Sequence, residues 1–275
     1  MIKNKILNKF TPLKIKAKFQ SFFDFAQHFN LKVKIPNSDK YILFRSNGYQ
    51  SRSRAKTSLI KEANTIEWID GFNDASNFLD VGAHMGIFSI YAAVKKNCKV
   101  TAIEPCLANL STLNYNVILN NVFENIFICP NAISNVTQID KFYVSLGNDK
   151  NFRDLAAGFP KKPIATRGEK MTNAYSHAAN LITIDELNNK FGPYENIKID
   201  IDGNEKDLIL GAEKTLESPN LKSILIELNE KDENFSSIVD HIKNKKFKLN
   251  EYLTNKSYIS IKRSSKIYNL IFDKN

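Results

Sequence analysis

Two rhythms of apolar and polar positions divide this chain. From residue 77 onward, short apolar runs alternate with stretches of helical periodicity, the pattern of a mostly parallel sheet covered by helices on both faces. Residues 77–82 (NFLDVG) predict a strand, 86–96 (GIFSIYAAVKK) a helix, 99–105 (KVTAIEP) a second strand and 107–121 a second helix. NIFICPNAIS predicts a third strand, NIKIDID (196–202) and LKSILIELN (221–229) two more, and the last helix ends near His241. The tail from Phe247 to Asp273 alternates with period two, which predicts a closing antiparallel hairpin. Residues 147–180 are polar and basic, too long for a plain connection, and read as an insert. The first 70 residues lack the rhythm and are expected to form a helical, basic extension, with residues 71–275 as the main α/β domain. A doubly wound, Rossmann-like sheet is the expected architecture.

Composition narrows this picture. A chain of 275 residues, 43% hydrophobic, can bury one sizeable core. Its three cysteines, Cys98, Cys106 and Cys129, have no metal-site spacing and no even count, so they read as packing residues in a reducing compartment, the cytoplasm. No apolar run is long enough for a membrane span or a signal peptide. The net charge of +10 comes from lysine far more than arginine, which occurs at only six positions. That bias fits an AT-rich genome as well as anion binding, so global basicity does not argue for nucleic acid. Residues 1–36 hold eight lysines against Asp24, interleaved with phenylalanines. Two readings fit them: an amphipathic helix on an anionic membrane, or a helix packed on the main domain.

The glycine turn after the first predicted strand, FLDVGAHMG, carries the candidate chemistry. A dinucleotide fingerprint needs GxGxxG, whose middle glycine lets a pyrophosphate approach the helix N-terminus; here His84 occupies that place, leaving Gly82 and Gly86. Asp80, two residues before the turn, repels phosphate and suits a cation. S-adenosylmethionine fits, having no phosphate but an ammonium and a sulfonium. Glu104 ends the second strand, where a carboxylate accepts from ribose hydroxyls. Asn131 stands where an amide reads an adenine edge, or is a turn asparagine. In IKIDIDGNE, strand alternation puts Lys198, Asp200 and Asp202 on one face, marking the carboxyl end of the sheet as the working site.

If S-adenosylmethionine gives up its methyl group, one base is needed, and Asp200 leads because burial at the crevice would raise its pKa. His177 in the insert is the alternative, with Asp202, Glu205, Glu227 and His84 behind it. No metal is expected, although Asp200, Asp202 and Glu205 with a histidine would suit magnesium. These residues resemble the FkbM family of S-adenosylmethionine-dependent methyltransferases, class I in fold. The likeness runs from Arg54 through RAKTSLIKEANTIEWID, FLDVGAHMG, AIEPCLANLSTLNYN, NAIS, TIDEL, IKIDIDGNEKDLILGA and ILIELN. It implies that Asp80, Gly82, Ala83, His84, Gly86, Glu104, Pro105 and Asn109 cradle the cofactor, that Asn131 and Ala132 border adenine, and that Asp200 stands near the methyl donor. The family usually has asparagine where this chain has His84 and a glutamate-like acid where it has Asp202. The resemblance also implies O-methylation of a sugar, glycan or secondary metabolite. A nucleic-acid methyltransferase is the rival within the class, but IDID stands where its base-stacking Asn/Asp-Pro-Pro-Tyr/Phe would be. A non-catalytic adenosine-binding scaffold is the rival outside it. Acceptor choice is expected in the N-terminal segment and in the insert, where Arg153, Lys161, Lys162, Arg167 and Lys170 mix with Phe152, Phe159 and Tyr175.

Overall fold

The structure, a computed structural model, describes residues 29–46, 48–145, 158–160, 174–201, 203–260 and 266–275. Most of the basic N-terminal stretch, most of the insert including Arg153, Lys161, Lys162, Arg167 and Lys170, and Asp202 lie outside them. Strands β1 (Phe29–Lys34) and β2 (Tyr41–Ser46) form an antiparallel hairpin, followed by helices α1 (Tyr49–Lys61) and α2 (Ala63–Asp70). Then come β3 (Asn77–Val81), α3 (Ile87–Lys96), β4 (Lys99–Ile103), α4 (Leu107–Leu119) and β5 (Ile126–Cys129). A second group comprises β6 (Ala132–Ile133), β7 (Gln138–Ser145), β8 (Gly158–Pro160) and β9 (Ala174–Ile182). The chain returns through α5 (Ile184–Phe191), β10 (Asn196–Ile199), α6 (Glu205–Leu210), α7 (Glu213–Glu217), β11 (Ser223–Asn229), α8 (Phe235–Asn244), β12 (Phe247–Leu249), α9 (Glu251–Ser260) and β13 (Ile267–Lys274).

Seven strands build the main sheet in the order β12-β13-β11-β10-β3-β4-β5, with β13 antiparallel to both its neighbours and the other pairs parallel. The chain winds outward from β3 through β4 and β5, then restarts on the other side at β10. The seam between β3 and β10 is therefore the switch point where such sheets open a ligand crevice at their carboxyl ends. Along β3 the side chains alternate. Phe78 joins a core with Ile42, Phe44, Trp68, Ile90 and Leu113, while Leu79 and Val81 join another with Ile103, Ile184, Ile197 and Leu208. Burial on both faces accounts for the near-continuous apolar strands, each large side chain contributing about 1.5–3 kcal/mol.

The N-terminal segment belongs to the first of these cores. Trp68 packs edge-on against Phe72 and Phe78, at 4.7 and 5.9 Å between ring centroids, and its indole donates to the Ser223 hydroxyl at 2.9 Å. Strand β2 meets α4 through asparagines: Leu43 N and Arg45 N donate to Asn120 Oδ1 and Asn116 Oδ1, both at 2.8 Å. Side-chain amides thus satisfy an edge that would otherwise recruit another strand.

Four expectations change. Residues 29–46 are a hairpin rather than helix, because LKVKI and YILFR alternate with period two. NIFICPNAIS breaks at Pro130, which cannot donate to a ladder, into β5 and β6 of different sheets. The insert is not irregular throughout: β9 pairs along its length with β7 in a second sheet of order β6-β9-β7-β8. The tail contains α9 between β12 and β13, anchored by buried Thr254, whose hydroxyl accepts from Ile271 N at 3.1 Å. Among the described residues no helix is long and apolar enough to cross a membrane.

Candidate active site

The turn from β3 into α3 is built from left-handed backbone. Gly82, His84 and Gly86 all have positive φ, at 81°, 55° and 85°, a conformation that costs a side chain about 1–2 kcal/mol. Gly82 is also forced by contact, since a Cβ there would lie 1.9 Å from the Asp200 carbonyl oxygen. At Gly86 the same atom would meet Leu113 at 2.5 Å. Gly82 therefore lets the turn close onto the end of β10, and Gly86 lets it close onto the middle of α4. The turn is stapled to the tip of β4 as well: Gly82 N and Ala83 N donate to the Ile103 carbonyl, and His84 N donates to Glu104 Oε2 at 2.9 Å.

Glu104 is the hub of that corner. Its Oε1 accepts from Cys106 N at 2.8 Å and from Asn109 Nδ2 at 3.3 Å. Burial pushes its carboxyl up to about 7 against these donors, with a smaller upward push from Asp80. Three donors leave room on the roughly four lone-pair sites of a carboxylate for a further hydroxyl.

A second group of charges sits under the turn. Lys198 and Asp80 face each other across the β10–β3 pair, and both side chains are only 1% exposed. Lys198 Nζ lies 2.8 Å from Asp200 Oδ2 and 3.8 Å from Asp80 Oδ1. Ser89 donates to Asp80 Oδ2 at 2.5 Å, whereas Oδ1 accepts no hydrogen bond among the described residues. Burial raises the Asp80 pKa despite Lys198. Burial alone would lower Lys198, but Asp200, Asp80 and Glu62 outweigh it and hold the ammonium above its ordinary value. Asp200, one-third exposed at 34%, would be raised by burial, yet Lys198 and Arg54 bring it below the usual carboxylate range. His84 is depressed to about 3 by burial and by Arg54, so its imidazole is neutral.

A methyltransferase FkbM domain model matches residues 80–249, more than half of the sequence and all of this site except Arg54 and Glu62. The chain belongs to the FkbM methyltransferase family. Membership makes it an S-adenosylmethionine-dependent methyltransferase. No curated protein matches the chain significantly. Among solved structures it is similar to a precorrin-6y C5,15-methyltransferase from Geobacter metallireducens, at 12% identity and TM-score 0.44 over 80% of this chain and 89% of the other. M. jannaschii TYW2 in complex with AdoMet shows 11% identity and TM-score 0.42, over 90% and 88%. A putative tRNA (m1A22) methyltransferase from Streptococcus pneumoniae shows 12% and 0.44, over 76% and 71%.

The residues of this FkbM methyltransferase fit the cofactor. The surplus of carboxylates at the crevice suits a cationic ligand and opposes a pyrophosphate, and the glycine turn leaves Glu104 with acceptor capacity. Asp80, Gly82, Ala83, His84, Gly86, Glu104, Pro105, Asn109 and Asp200 come together at the tips of β3, β4 and β10. Asn131 lies one tip further on, between β5 and β6, where its Oδ1 accepts from Cys129 Sγ at 3.2 Å, and Ala132 opens β6 and is buried. His177 is elsewhere: on β9 its ring packs 5.5 Å from that of Phe142, Nδ1 bonds the Ala178 carbonyl, and it joins none of these carboxylates among the described residues. Glu205 Oε1 accepts from Gly203 N at 3.0 Å. Among the described residues no three His, Cys, Asp or Glu side chains are grouped to hold a metal.

One expectation is corrected here. Burial was expected to raise Asp200 into the range of a base at neutral pH, and the neighbouring ammonium reverses the direction. Two participants went unread in the sequence. Glu62, at the break between α1 and α2, is half-buried, hydrogen-bonded to Asn269 and electrostatically linked to Asp200 and Lys198. Burial, then Asp200, pushes it to about 7. Arg54 of α1 acts on Glu62, His84 and Asp200 alike. The available signal was that Glu62 is the one acid between Asp39 and Glu67 in a basic stretch.

Proposed function

We propose that this protein O-methylates a hydroxyl of a sugar, glycan or secondary metabolite. The supporting observation is the ionised Asp200 at the β10 tip, one-third exposed and fixed by Lys198 at 2.8 Å. S-adenosylmethionine supplies an electrophilic methyl group on a sulfonium. The chain's own task is to align an oxygen nucleophile and accept one proton. An alcohol oxygen becomes strongly acidic as it gains a methyl group, so a carboxylate with a lowered pKa suffices when the proton leaves late. Asp200 orients the hydroxyl and takes that proton, and Lys198 holds it charged for the purpose. Glu104 accepts from the ribose, with Pro105 and Asn109 shaping its corner, and Asn131 and Ala132 flank the adenine.

The acceptor enters beside the second sheet. Phe142, Val144, Ala179 and Leu181 of β7 and β9 share a small core with Cys106, two residues beyond Glu104. This sheet therefore rises beside the cofactor corner, and residues 147–180 provide the sugar-binding groups. His177 stands on this acceptor-facing sheet rather than acting as the base. All three cysteines are free and buried, in keeping with a cytoplasmic enzyme.

Incubation of the purified protein with S-adenosylmethionine labelled in its methyl group, in the presence of separate polysaccharide, lipid and RNA fractions, tests the reading. Label stable to mild alkali in the polysaccharide fraction, or in a small-metabolite fraction assayed beside it, supports it. Label confined to RNA overturns it.

A further inference from the structure

We propose that Glu62, carried on the break between α1 and α2, supplies the carboxylate that pairs with the positively charged methionine end of S-adenosylmethionine. This rests on the donor assignment above and extends it to a residue outside the matched domain, which begins at residue 80.

Position comes first. Glu62 caps the junction of two helices, where Glu62 N donates to the Ser58 carbonyl and its own carbonyl accepts from Ile66 N. The helices reach over the same face of the sheet as Lys198 and Asp80, because α2 plants Trp68 on Phe78 of β3. The Glu62 side chain bonds Asn269 of β13, two strands from β10. Asn269 is itself buried and donates to Thr65 Oγ1 at 3.2 Å. The carboxylate is thereby fixed at the crevice on the side away from Glu104, which is held at β4.

Charge comes second. Arg54 from α1, Lys198 on β10, Asp200 beyond it and the Asn269 amide on β13 face Glu62. Asp80 lies beneath, beside the same Lys198. Three carboxylates, Glu62, Asp80 and Asp200, thus share two cations, Lys198 and Arg54. Asp200 takes most of the compensation, at 2.8 Å from Lys198, and burial, then Asp200, leaves the Glu62 carboxyl near 7 despite Lys198 and Arg54. A ligand that brings a positive group to this crevice completes the balance. Neither Asp80, sealed under the turn, nor Asp200, already bonded to Lys198, is placed to do so as directly.

The consequence is a proton linkage. A cation beside Glu62 favours its ionised form, so binding near pH 7 expels the proton that about half of the free molecules carry. Affinity for S-adenosylmethionine should rise as pH increases through about 7 and decline again above about 8, as the ligand's own α-ammonium loses its proton. Glu104 titrates in the same range, and 5′-methylthioadenosine separates the two, because it keeps the ribose and lacks both the ammonium and the sulfonium. Calorimetry in two buffers of different ionisation enthalpy counts the protons.

Wild-type protein should release about half a proton more with S-adenosylmethionine than with 5′-methylthioadenosine near pH 7. Glu62→Gln should abolish the difference and weaken S-adenosylmethionine about tenfold or more, with 5′-methylthioadenosine held within about threefold as proof of an intact fold. Equal proton release for the two ligands in the wild type, or unaltered S-adenosylmethionine affinity in Glu62→Gln, overturns the inference alone. Failure of the wild type to bind either ligand removes the donor assignment and the inference together.

Discussion

Replacing Lys198 by methionine probes the buried charges under the turn. Methionine keeps an unbranched stem against Phe88, whose ring centre lies 5.1 Å from Lys198 Nζ, so the main loss is the ammonium. Asp80 is then left fully buried with Ser89 as its hydrogen-bonding partner. Removing one member of a buried ion pair costs about 3–5 kcal/mol while the other stays charged. Asp80 can escape by taking a proton, because burial already raises its pKa and loss of Lys198 raises it further. An acid with a raised folded-state pKa stabilises the fold at low pH, and that contribution is lost as pH rises through the folded pKa. Asp200 adds a part that stays constant over this range. In the wild type its lowered pKa adds stability that is fully present above its unfolded pKa of about 3.9 and that the variant lacks at both pH values. The deficit should therefore be about 3 kcal/mol near pH 8 and fall to about 1 kcal/mol near pH 4.5. Urea unfolding read by the fluorescence of Trp68, the single tryptophan and 4% exposed, measures both. A deficit under about 1 kcal/mol at pH 8, or an equal deficit at the two pH values, would refute the reasoning.

Two further variants test the turn and the ribose corner. Glu104→Ala should weaken S-adenosylmethionine at least about tenfold, about 1.4 kcal/mol by calorimetry, and millimolar NAD should not compete with it in the wild type. Gly82→Ala combines φ of 81° with a 1.9 Å approach to the Asp200 carbonyl, so the seam between β3 and β10 must part. It should lower unfolding stability by about 3 kcal/mol or more, and a loss below about 1 kcal/mol would show that the backbone yields there.

The central elements were legible because their chemistry is local. The turn after Val81, the acid at Glu104 and the apolar strands each announce themselves within a few residues. Lys198 was visible as a charge in a buried strand, but not its direction. It turns inward to Asp80 through the register of β10 on β3, and register is a non-local property. Arg54 and Glu62 lie in a segment that the resemblance covers, but their place at the site was not legible, because that segment reads as polar and basic until it folds over the sheet. In the tail, period-two alternation misled over Glu251–Ser260. Its neighbours β12 and β13 are adjacent strands, and a helix rather than a tight turn bridges them.

The place of β13 in the sheet has a consequence for synthesis. Residues 267–274 leave the ribosome after every other described strand, yet they lie between β11 and β12 and not at an edge. Until they arrive, β11 has an open flank and Asn269 cannot meet Thr65 or Glu62. Domains generally gain structure from their N-terminal side during translation, but here Thr65 and Glu62 wait for β13 before their contacts with Asn269 can form. A chain stalled short of residue 267 would hold β3, β4 and the glycine turn while lacking the anchor for Glu62. The Glu62 side of the crevice is thus fixed only after β13 has been made, later than the glycine turn and the Glu104 corner.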